Sequence, residues 1–169
     1  MSLKQSFSAE DWSAVTVAPH LVATAVMMAG FSGLGGTAKE AFSVAQSLAS
    51  AASSSSPLVR EVAARDELSA VQNAVKEKIS NLDQAQFKQQ LNALALDSAK
   101  RAVEVVGRQV PDEAAAYKQW LMDIAFNVAN AAKEGSFLGF GGERISGGEK
   151  EILDSLASTL GVQVRTTSV

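Results

Sequence analysis

The side chains of this sequence best placed to do chemistry are carboxylates beside two glycine-rich segments. Glu40 and Glu149 each stand three residues after a Thr or Ser, at Thr37 and Ser146. Glu134 immediately precedes the second glycine segment, Glu143 lies inside it, and Asp123 falls on the stretch leading into it. Carboxylates can ligate a hard divalent cation or serve as an acid–base pair. Either task needs several of them to converge. The first glycine segment, residues 30–36, contains no acid, and capping boxes account for Glu40 and Glu149 without a ligand. The rest of the catalytic repertoire is thin. The absence of cysteine excludes thiol nucleophiles, disulfides, iron–sulfur clusters and zinc fingers. One histidine, His20, excludes any site built on two imidazoles. It follows Pro19 and reads as a partly buried hydrogen-bonding residue rather than a base. No catalytic residue is assigned.

The elements that must position these carboxylates come as a doubled pattern. Phe-x-Gly-[Leu/Phe]-Gly-Gly occurs at residues 31–36 and again at 137–142, and eight of the twelve glycines lie in or beside the two copies. Each copy leads to a Ser/Thr-x-x-Glu signature of a helix start, Thr37 to Glu40 and Ser146 to Glu149. A helix, a glycine turn and a second helix are therefore expected twice, over about 12–52 and 112–161. The leading reading of the copies is tight interhelical turns pinned by Phe31, Leu34, Phe137 and Phe140. A metal or partner site built from the neighbouring acids ranks second. Phosphate binding ranks third, because no lysine follows Gly36 or Gly142 and no strand precedes either copy.

Helical periodicity extends over the rest of the chain. Ser8 caps a short helix carrying Trp12 and Val15, and Pro19 opens a second segment that Gly30 closes. A serine-rich loop at 53–57 ends in Ser56-Pro57, a cap followed by a first-turn proline. Leu68, Val71, Val75 and Ile79 share a face, with a break predicted near Arg65-Asp66. Phe87, Leu91, Leu94, Ala102 and Val105 trace a long helix ending at Gly107. Trp120, Ile124, Val128 and Ala131 mark the next, and Ile152, Leu153, Leu156 and Leu160 the last, stopped by Gly161. Trp12 and Trp120 are expected to anchor the core. The fold class is all-α, a single-domain helical bundle over 1–169 with about six to seven helices. Its 169 residues suit one core. A net charge of −3 without a basic cluster argues against nucleic acid. The uncharged stretch 13–37 contains Pro19, His20 and several glycines and hydroxyls, so a buried helix is preferred to a membrane span.

The order Ala132-Lys133-Glu134-Gly135, then Ile145-Ser146-x-x-Glu149, then Leu153 and Leu156 resembles a stretched form of the pattern in TerB-like, tellurite-resistance-associated proteins. The first half departs from it, with Gly30 where an acid should stand, and residues 136–144 form an insertion in the second. The resemblance implies a cytoplasmic, non-enzymatic, stress- or metal-associated module of two helix–turn–helix halves. Glu134 and Glu149 would be its acidic positions, with Glu40 the first-half counterpart and a divalent metal the implied cofactor. The expected function is thus a non-catalytic binding or scaffolding module with a protein partner or a second copy of itself. The alternatives are a carboxylate enzyme using Glu134 and Asp123, or a membrane-associated protein inserting residues 14–34.

Overall fold

The protein is described by a computed structural model that covers residues 2–30, 48, 51–64, 68–133 and 147–163. Six α-helices and no strand occur among them. They are α1 (Ala9–Gly30), α2 (Pro57–Val62), α3 (Leu68–Ser80), α4 (Phe87–Gln109), α5 (Ala114–Lys133) and α6 (Gly147–Leu160), with short 3-10 turns at Leu3–Ser6, Ala51–Ser53, Gln84–Gln86 and Pro111–Glu113. The architecture is an all-α helical bundle. Apart from residue 48, the helix expected after Thr37 falls outside the described residues, as do both glycine hexapeptides at 31–36 and 137–142 and Glu143.

α1 runs through the centre and packs against α3, α4, α5 and α6. Val15, Thr16, Val17, Ala18 and Pro19 are buried in succession, so this helix is enclosed on every side at its middle. A helix in that position is apolar all round rather than amphipathic. That explains why α1 alone, among the described residues, is long and apolar enough to cross a membrane. α4 and α5 are amphipathic and turn Leu91, Ala95, Ala99 and Ala102, and Tyr117, Leu121, Ile124 and Val128, into one shared core. Trp12 and Trp120 belong to that core.

Pro19 does not open a second helix. It lies inside a continuous α1. In a regular helix the N–H of residue 19 would donate to the carbonyl of Val15, and proline has no N–H. The fully buried Tyr117 on α5 supplies the donor instead, its hydroxyl lying 2.6 Å from the Val15 carbonyl oxygen. A tertiary hydrogen bond thus replaces the helical one that the sequence removes. Burial also pushes the Tyr117 phenol far above its ordinary range, so it stays a donor.

Several helix ends follow from local chemistry. Ser56 accepts from the Val59 N–H at 3.1 Å and Pro57 occupies the first turn of α2. Ser56 also donates to Glu113, tying this cap to the start of α5. α2 ends at Val62 and α3 begins at Leu68, on either side of the predicted break. α4 runs past the predicted stop at Gly107 to Gln109, and the Val110 N–H closes it on the Val106 carbonyl. Gly161 does stop α6. It has φ +65°, and the bonds from Val162 N–H to Ala157 O and from Gly161 N–H to Ser158 O form a Schellman motif.

Candidate functional site

Of the three carboxylates expected to form a metal site, Glu149 is described, and Glu134 and Glu40 lie outside the described residues. Glu149 occupies the first turn of α6, the third helical position that a capping box specifies. It is not a solvated cap. Only 4% of it is exposed, which makes it the one buried carboxylate among the described residues.

Its place is set by two glycines on different helices. A Cβ on Gly30, the last residue of α1, would lie 2.5 Å from Glu149 Oε1 and 2.9 Å from its Cδ. A Cβ on Gly148 would lie 3.0 Å from the carbonyl oxygen of Ala29. The start of α6 and the end of α1 therefore approach to backbone contact, and any side chain at residue 30 would occupy the space of the Glu149 carboxylate. Gly30 thus provides room rather than an unusual backbone angle. Among the described residues only Gly161 has positive φ. The carboxylate gains from the positive end of the α6 dipole, while the end of α1 brings carbonyl groups of partial negative charge beside it. Glu149 is engaged in further contacts of its own. The first glycine hexapeptide follows Gly30 directly and the second precedes α6 by a few residues, so both are joined to this end of the bundle.

Asp123, proposed as half of an acid–base pair, is half-buried on α5 and accepts from Gln119 Nε2 at 2.8 Å, one turn away. His20 is half-buried, and burial lowers its pKa below the ordinary imidazole value. Among the described residues no group of three or more His, Asp or Glu side chains converges to hold a metal ion. They contribute a single carboxylate, Glu149, to the set that the resemblance implies.

A second feature was not anticipated from the residues. At the opposite end of α1 a groove of about 440 Å³ opens between the N-terminal turn, the first turns of α1 and α3. Ser8 caps α1 by accepting from the Asp11 N–H at 3.1 Å. Phe7 then packs on Trp12 with ring centroids 5.5 Å apart, the arrangement of a hydrophobic staple. Lys4 Nζ sits 5.6 Å from the Trp12 ring centroid, within reach of a cation–π interaction. The N-terminal turn is held by Glu61 of α2, whose carboxylate accepts from Ser2 Oγ at 2.7 Å and from the N–H groups of Leu3 and Lys4 at 2.9 and 3.0 Å. Desolvation pushes the Glu61 pKa up, but these three hydrogen bonds and the positive charge of the N-terminus together outweigh it and hold the group below its ordinary value. Phe7-Ser8-x-x-Asp11-Trp12 is the sequence signal that could have pointed here.

No protein-family model, curated protein or solved structure matches the chain. The resemblance to TerB-like proteins rests on the residues quoted for it.

Proposed function

We propose that the chain is a non-catalytic binding or scaffolding module, TerB-like in plan, that works from the end of the bundle where α1 stops and α6 starts. The observation that carries this reading is the burial of Glu149 against Gly30. Glu149 has partners of its own, so what its burial marks is the junction of the two helices rather than an unmet group. Here it sits where two helix ends meet and where both glycine segments attach, so an occupant of those segments would be felt by both helices. Following the resemblance, the ligand class is a divalent cation, with Glu134 and Glu40 as the further carboxylates and a stress- or metal-responsive cytoplasmic role. Hard cations favour such oxygen-only sets.

Calorimetric titration with calcium, magnesium, manganese and zinc tests it, with Glu149→Gln run in parallel. The reading predicts saturable heat and a raised melting temperature for at least one cation, both lost in the variant. Heat that is absent, or unchanged by Glu149→Gln, removes the metal clause and leaves a protein partner as the ligand of this end.

A further inference from the structure

α3 is held to the bundle by little. Of its 13 residues only Val71 is buried, Ala74, Val75 and Ile79 are partly covered, and Leu68 at its start is 40% exposed. It packs chiefly on α1. Among the described residues no ion pair or side-chain hydrogen bond joins α3 to another helix, and Ser80 Oγ donates within α3, to the Glu77 carbonyl. The turn after it is firmly set by contrast. The Leu82 N–H closes on the Ile79 carbonyl, and the Asp83 N–H donates to Gln90 Oε1 of α4 at 2.9 Å. The Asp83 carboxylate then caps the turn that leads into α4.

The seat of α3 on α1 is narrow as well. The groove of about 440 Å³ reaches Ala70 and Val71 on α3. A second space of about 270 Å³, between α1 and α4, reaches Lys78 one and a half to two turns further along α3. Ser13 and Val17 of α1 line both, so the two spaces share a floor. Uncovering that floor strands no hydroxyl: Thr16 Oγ1 already donates to the carbonyls of Trp12 and Ser13 at 3.0 and 3.2 Å. An element with few buried apolar contacts and no polar ties belongs to the low end of the range of local stabilities.

We infer that α3 is a lid. It lifts as a unit about the turn at residues 81–83 while α1, α4, α5 and α6 stay folded, and its opening joins the two spaces into one trough over the first half of α1. The lid lies at the opposite end of α1 from Glu149 and does not depend on the metal reading.

Native-state hydrogen exchange of the full chain in low urea tests this. Amides of residues 75–79 in α3 should exchange together, with protection at least about 100-fold below that of residues 95–102 in α4. Their urea dependence should be shallow, because lifting one helix exposes little surface. Ile124→Val supplies the discriminating variant. Ile124 is buried in α5, so losing one methylene destabilises the bundle and should speed α4 exchange severalfold. It should leave α3 exchange unchanged, because α5 is folded both before and after the lid lifts. The chain has no cysteine, so Val71→Cys and Ala99→Cys each introduce a single buried thiol, on α3 and α4. Under native conditions a soluble thiol reagent should label Val71→Cys at least about 100-fold faster than Ala99→Cys. Equal protection and equal urea slopes in α3 and α4, acceleration of both by Ile124→Val, or equally slow labelling of the two thiols would overturn the assignment.

Discussion

Replacing Tyr117 by phenylalanine removes one oxygen from a fully buried side chain, and the structure fixes what is lost. The Tyr117 hydroxyl lies 2.6 Å from the Val15 carbonyl, whose helical partner is missing because residue 19 is proline. Without it the carbonyl is left buried and unmet, at a cost of about 1–3 kcal/mol. In a Pro19→Ala background the N–H at residue 19 is restored and can bond to Val15. There Tyr117→Phe should cost only about 0.5–1 kcal/mol, the ordinary worth of one hydrogen bond. The two substitutions are therefore predicted to couple by about 1 kcal/mol, within the scale expected of residues sharing one partner. Urea denaturation of the four proteins measures this from their midpoints, provided the slopes agree. Equal costs of Tyr117→Phe in the two backgrounds would refute the reasoning, because the hydroxyl would then not be standing in for the missing N–H.

Two further outcomes follow from the same geometry. Gly30→Ala places a methyl group 2.5 Å from Glu149 Oε1 and should destabilise by about 1–3 kcal/mol in thermal or urea unfolding. Glu149→Ala should suppress much of that loss, whereas a strictly additive pair would contradict the close approach. His20 makes stability depend on pH with a definite sign. Burial lowers its pKa, so as pH falls below about 6.5 the unfolded chain takes up the proton first. Stability should therefore decline from about pH 7 toward the lower pKa of the folded state. Melting temperatures of wild type and His20→Gln across that window check it, and an equally steep decline in the variant would count against His20 as the source.

What could be read from the residues was what is decided within a few positions. Ser56-Pro57 sets a cap because its acceptor and ring act on the adjacent turn. Gly161 stops α6 through its own φ, and Trp120, Ile124 and Val128 mark a buried face because helical spacing alone aligns them. The readings that missed concern partners far away in sequence. Pro19 is a helix breaker until a hydroxyl 102 residues on replaces its lost bond. Gly30 does end α1 as its sequence suggests, but only the arrival of α6 gives its missing Cβ a purpose. Glu149 carries a capping signature that places it correctly in α6, but nothing local foretells that it is buried. Gly107 is a local exception: glycine there reads as a helix stop, yet α4 continues through it because no neighbour or backbone angle opposes the helix. The groove is not legible in the sequence for a related reason. Phe7 and Trp12 are local, but α3 supplies its opposite wall.

The location of binding is tested most directly by titrating the ¹⁵N-labelled chain with manganese and reading which amide signals broaden. The account predicts early broadening around Ala29, Gly30 and the first turn of α6 from Gly147 to Glu151. Signals from Ser2 to Trp12, at the far end of α1, should stay sharp, and Glu149→Gln should abolish the effect. Broadening scattered over the exposed carboxylates, or unchanged in Glu149→Gln, would contradict a cation-binding end at the junction of α1 and α6.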